Sequence, residues 1–315
     1  MLKKAVPLIV TIALLAGLIG SGCKSLSSAA VSEQPIPDTA NLLASVQIHQ
    51  LLTDEDLIQA YDEAEKDPQI PQTFAETMAQ FEHEAGIDPL DYLEAVIFAN
   101  TASEDGYWGA IVRGAFDEAA LIQAVELATQ VEMTPSDYHG YQVYIDEEQK
   151  NALSFLSDTE FVIGTVAAVR GVLDVETGDA QRLSGAIVNT FNALSGSLLR
   201  VAVGTPAKWT EEINREDTPV GYRLLKSITA VGAAVSKSGE DVTIETRIQF
   251  VSPIFAGALA FGLWNLKTFV PRVFDMSPEA ETTLKKIKLA VRGASVRISM
   301  TSTVDELIEL FQTME

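Results

Sequence analysis

Residues 242–250 constrain the fold most. Val242, Ile244, Thr246, Ile248 and Phe250 alternate with Thr243, Glu245, Arg247 and Gln249. A period of two dries one face of a strand and leaves the other wet. Val296, Ile298 and Met300 alternate with Arg297, Ser299 and Thr301 in the same way, as do Leu199, Val201 and Val203 with Arg200 and Ala202. Strands of this kind belong to antiparallel sheets with one solvated face, whereas a doubly wound parallel sheet needs continuous apolar runs. A helix start follows many of these strands. Asp117 precedes EAALIQAVELA, Thr165 precedes VAAVRGVL, Thr205 and Pro206 precede AKWTEEI, and Ser252 and Pro253 precede IFAGALAFGLW. Hydroxyls and carboxylates there can accept from the first free helical N–H groups, and proline suits the first turn. Thr303 and Glu306 have capping-box spacing.

The punctuation predicts strand 42–48, helices 54–66 and 71–85, strands 95–101 and 107–115, helix 118–130, strands 141–146, 152–157 and 160–164, and helix 166–176. The second half reads as strand 197–204, helix 206–214, strands 226–237 and 241–251, helices 253–270 and 278–285, strands 286–292 and 295–301, and helix 304–313. The two orders nearly coincide. The expected fold class is therefore α+β: two tandem modules, read as a duplication, each a mainly antiparallel sheet packed with helices. Residues 42–176 form the first module, 177–196 a linker and 197–315 the second. Ile254–Leu266 is apolar except for Asn265 and is stopped by Lys267 and Pro271. It is too short to cross a bilayer and is expected to be a buried core helix.

The N-terminus carries a separate message. Met1–Lys4 is basic, Ala5–Ile19 is apolar, and LIGSGC closes the stretch at Cys23, the one cysteine of the chain. This resembles the lipobox of bacterial lipoproteins, with residues 1–22 as the signal peptide and Cys23 as the site of lipidation. An ordinary secretory signal is the alternative reading. The resemblance implies fatty acyl chains (palmitate or similar) on Cys23 and a membrane as the first partner. Lys24 stands where some lipoproteins carry an inner-membrane retention aspartate. The implied address is therefore the outer membrane, on its periplasmic or surface side, if the organism has one, and otherwise the outer face of the cytoplasmic membrane. Residues 23–41, rich in Ser, Ala and Pro, are expected to be a tether.

Chemistry is harder to find. The net charge of −22 repels phosphate backbones and argues against nucleic acid as a partner. A single cysteine allows neither an intrachain disulfide nor a cysteine-based zinc motif. There is no nucleophile elbow, phosphate loop, dinucleotide fingerprint or calcium loop. His49, His83 and His139 fall in different elements, and the acidic runs at 54–56, 62–65 and 146–148 read as solvated faces and helix starts. No catalytic residue, metal ligand or cofactor is expected. One anomaly is a basic run without acids: Lys285, Lys286, Lys288, Arg292 and Arg297. It would suit an anionic envelope protein, lipid or cell-wall partner, or be neutralised by acids on neighbouring strands such as Glu245.

These readings lead to a lipid-anchored cell-envelope protein serving non-enzymatic binding, scaffolding or envelope assembly. Two others stay open: a carrier of an apolar ligand or lipid, and a hydrolase whose site is assembled from dispersed residues.

Overall fold

The computed structural model describes residues 33–64, 88–104, 106–146, 150–196, 198–205, 222–273 and 284–304, with 75, 76, 79, 82, 282 and 306 besides. The expected helices 71–85, 206–214, 278–285 and 304–313 lie wholly or largely outside these residues, as do the leader and Cys23. Helix and strand combine around antiparallel sheets, so the fold is α+β as expected. The chain divides into two compact units. Unit 1 takes Ser45–Leu183 with the described residues before Asn41, and unit 2 takes Asn41–Ala44 with the residues from Ser184 onward.

β1 (Leu42–Gln47) is shared between the units. Unit 1 continues with α1 (Ile48–Leu52), α2 (Glu55–Ala64), β2 (Tyr92–Asn100), β3 (Tyr107–Gly114) and α3 (Glu118–Thr129). It ends with β4 (Thr134–Tyr138), β5 (Tyr141–Asp146), β6 (Asn151–Ser157), β7 (Glu160–Thr165) and α4 (Val166–Thr177). Its sheet runs β2-β3-β7-β6-β5-β4. Unit 2 contains α5 (Ala186–Ala193), β8 (Leu199–Gly204), α6 (Tyr222–Lys226), β9 (Ile228–Ser238), β10 (Asp241–Phe250), α7 (Pro253–Val273), β11 (Lys288–Arg292) and β12 (Ser295–Thr303). Its sheet runs β8-β9-β10-β12-β11. The two halves share one plan. In each, a hairpin (β2-β3 or β9-β10) leads into a helix, the last strand (β7 or β12) pairs with the second hairpin strand, and the penultimate strand (β6 or β11) lies outside it. Unit 1 adds β4 and β5 at its edge.

Local chemistry sets the element ends. The Asp117 carboxylate accepts from Ala120 N–H at 2.9 Å and Thr165 Oγ1 accepts from Ala168 N–H at 3.4 Å, capping α3 and α4. Thr303 and Glu306 form a reciprocal capping box, each side chain accepting from the other's backbone N–H at 3.3 Å. The β4–β5 turn is His139-Gly140, both with positive φ (54° and 83°), as a two-residue type I′ hairpin requires.

Unit 1 buries Ile48 and Leu52 of α1 and Leu121 of α3 against Tyr92, Ala110, Val112, Leu153 and Phe161 of the sheet. Phe116 and Tyr92 both meet the Phe161 ring edge-on, with centroids 5.2 and 5.8 Å away. Each such side chain fully withdrawn from water contributes about 1.5–3 kcal/mol. In unit 2, α5 covers one sheet face and α7 the other. α5 brings Ile187, Val188 and Phe191 down on β8 and β9, where Ala202, Ala230 and Ala234 are small and buried. Gly232 permits this approach: a Cβ there would lie 3.0 Å from both Leu194 and Thr190. On the opposite face, Ala256, Phe255 and Leu259 of α7 pack on Ile248, Phe250, Val296 and Ile298.

Three expectations are corrected. The tether does not reach residue 41. Gln34 and Ile36 are each 1% exposed, and backbone bonds join Leu183 N–H to Ile36 O (2.7 Å) and Asp38 N–H to Gln181 O (3.1 Å). Apolar Ile36 and an amide that can reach Glu160 and Arg113 hold this stretch in unit 1. The stretch 177–196 is not simply a linker, because α5 lies inside it with a buried face. Finally, α7 is not a buried core helix. It runs eight residues beyond Asn265 and its outer face is exposed: Ile254 80%, Phe261 69% and Trp264 58%.

Candidate functional site

The basic run does not form one patch. β11 and β12 pair with Ala290 opposite Arg297, so Lys288 and Arg292 share a face with Arg297. Lys286 instead pairs with Glu306 and reaches Ser302 at 3.4 Å. Lys285 is exposed just before β11, and its carbonyl accepts from Lys267 Nζ of α7 at 3.2 Å. Arg297 is neutralised as one reading anticipated: its Nη2 lies 2.8 Å from Glu245 Oε2. Lys288 and Arg292 are exposed and make no ion pair among the described residues.

The pairing registers bring further residues to this face. Arg247 of β10 lies directly across from Arg297, Glu245 across from Ser299, and Gln249 across from Ser295. Glu245 is 1% exposed and accepts from Arg247 Nη2 at 3.0 Å, from Arg297 and from the Ser195 hydroxyl. Burial pushes its carboxyl up, but the hydrogen bonds from Ser195 and Arg247 and the charges of Arg297 and Arg247 outweigh burial, leaving it below the ordinary range. Ser195 sits in the turn after α5, and its Oγ also accepts from Arg297 Nη2 at 3.1 Å. The turn presses on the sheet at Gly196, where a Cβ would fall 2.5 Å from the Ala234 side chain. The basic run contained neither Arg247 nor Ser195. The available signal was the Glu-x-Arg spacing of β10, which puts both side chains on one strand face.

The outer face of α7 is a second feature. Ile254, Gly257, Ala258, Phe261 and Trp264 are exposed along it, with Val251 just before it. The spacing of three and four residues makes one apolar stripe, and Pro253–Val273 contains no acid. Among the described residues no helix is long and apolar enough to cross a membrane.

Unit 1 holds an open pocket of about 730 Å³ lined by Ser103, Tyr107, Lys150, Thr165, Ala167 and Arg170 among others. Nearby, Tyr138 donates to Asp174 at 2.8 Å, and His139 lies 3.4 Å from Asp174 and 3.6 Å from Asp179. These contacts tie the β4–β5 turn to the end of α4, a packing role. His49 lies in α1, and His83 is outside the described residues. No cluster of potential metal ligands occurs among the described residues.

No family model and no curated protein sequence matches the chain. Among solved structures, it is similar to crystal forms III and IV of TP0453, each at a TM-score of 0.45 and 9% identity, covering 92% of this chain and 100% or 99% of the other. Crystal form I matches at 0.43 with 11% identity, covering 92% of this chain and 99% of that one.

Proposed function

We propose that this chain is a lipid-anchored cell-envelope protein whose body binds or scaffolds rather than catalyses. In this reading acylated Cys23 holds it to the outer membrane where there is one, and otherwise to the outer face of the cytoplasmic membrane. The observation that carries the reading beyond its leader is the stripe on α7. A helix whose first three turns are apolar on every side, with one side left in water, calls for a cover. The headgroup boundary of a bilayer takes such a face, with Trp and Phe at its level and the helix axis in its plane. The Glu33 carbonyl already accepts from Arg182 at 3.0 Å, so residues 24–32 alone join Cys23 to the body. That is at most about 35 Å of extended chain.

Two or more acyl chains give firm attachment at ~0.8 kcal/mol per buried CH₂. The stripe then sets how the body meets the surface. Protein made in its native host should yield an acylated Cys23 in mass spectrometry, and Cys23→Ser should move it out of the membrane-anchored fraction. Brominated lipids should quench Trp264 in the anchored protein, and Trp264→Phe should remove most of that quenching. An unmodified Cys23 refutes the anchor. Anchored protein with unquenched Trp264 refutes the role given to α7.

A further inference from the structure

The face of unit 2 opposite α7 has a charge balance at odds with the rest of the chain. Arg247, Arg297, Lys288 and Arg292 share it with two acids, Glu245 beside the arginines and Asp241 at the far end of β10, in a protein of net charge −22. Arg247 and Arg297 stand directly opposite each other across the ladder, an arrangement that repels unless an anion lies between them. Glu245 supplies one negative charge and takes one Nη2 from each arginine. It leaves much of their donor capacity unused. Arg247 Nε and Arg297 Nε are buried with no hydrogen-bond partner among the described residues, and so is the hydroxyl of Ser295, which is 8% exposed. Ser295 lies in the same row as Gln249 and Arg292, on the same face as the arginines. The turn carrying Ser195 walls one side of this shelf, and exposed Lys288 and Arg292 border the other.

We infer that this shelf binds a phosphate-type oxyanion. Guanidinium groups present paired N–H donors to phosphate oxygens, and a lysine beside them adds a point charge. One buried carboxylate already balances one arginine. The remaining excess fits a ligand with several oxygens and more than a single charge. The inference does not depend on the anchor or on α7, whose stripe faces the other way.

The probe is inorganic pyrophosphate, titrated calorimetrically at low salt into the full chain in the presence of phosphatidylcholine vesicles, whether or not Cys23 is acylated. Saturable binding that weakens with salt is expected. Lys288→Gln combined with Arg292→Gln should weaken it about tenfold; both residues are exposed and unpaired, so the fold should persist. Glu245→Gln removes the built-in competitor and should tighten binding several-fold, with near-ultraviolet circular dichroism checking the fold. A second arm replaces phosphatidylcholine with phosphatidylglycerol. Weaker pyrophosphate binding there identifies lipid headgroups as occupants of the shelf, and unchanged binding identifies a free phosphate compound. The inference is overturned if millimolar pyrophosphate gives no binding, or if the double variant binds as the wild type does.

Discussion

Glu245 shows how one side chain can organise a face. Its carboxyl titrates below the ordinary 4.5 because Ser195 and the two arginines outweigh the effect of burial. A carboxyl with a lowered folded value stabilises the fold fully above its unfolded value, and the contribution is lost as pH falls through the lowered one. The melting temperature of the wild type should therefore decline below about pH 4.5, and Glu245→Gln should show a flatter acid limb in the same thermal scans. Glu306 acts in the same sense, held at about 2 by Lys286, Ser302 and the Thr303 N–H. The pairing of Arg297 with Glu245 was legible in the sequence, because strand alternation put both on polar faces of neighbouring strands. The direct opposition of Arg247 and Arg297 was not, since it depends on register, which neither strand states alone.

Elements were legible where their period was strict and their caps were polar. β10 and β12 follow their alternation, and α3 and α4 begin at their Asp and Thr caps. β4, TPSDY, escaped because proline and aspartate disfavour strands. It forms as an edge strand, where a missing N–H is tolerated. α5 escaped because Gly185 at its N-cap offers no side-chain acceptor and φ 83° there reads as a turn. α7 was found, but its surroundings were misread: when a helix is apolar all round, periodicity cannot say which face the fold leaves uncovered.

Close approach of strands gives a prediction at this scale. A Cβ at Gly164 would lie 2.4 Å from Trp108 O and 2.6 Å from Gly109 Cα, both backbone atoms that cannot rotate away. Gly164→Ala should part β3 from β7 and cost about 1–3 kcal/mol in denaturant unfolding. Gly257→Ala, where a Cβ meets nothing within 4 Å, should be neutral or slightly stabilising in the same measurement.

At the scale of the whole molecule, the similar order of elements in the two halves was readable, because in each an alternating hairpin leads into a helix. The docking of Gln34–Ala40 was hidden, since a stretch bearing Pro35, Pro37 and Thr39 after a Ser-rich run looks like a linker until Ile36 is buried. That docking would limit the reach of the proposed anchor to residues 24–32, which makes the proposal testable. Inserting about 30 flexible residues between Cys23 and Glu33 would lengthen the connection roughly fourfold and dilute the body at the surface about eightfold. Trp264 quenching should fall in brominated vesicles, while acylation of Cys23 stays unchanged in mass spectrometry.

The outermost strands would also matter if the proposed anchor gathers copies in one plane. β4 carries Pro135 and Asp137, and β11 carries Lys288 and Arg292. A bare strand rim invites the neighbouring copy to zip on by backbone bonding and to propagate into fibres. Proline and charge spoil that template. Copies held on one surface by the proposed anchor would then jostle rim to rim and still remain separate molecules.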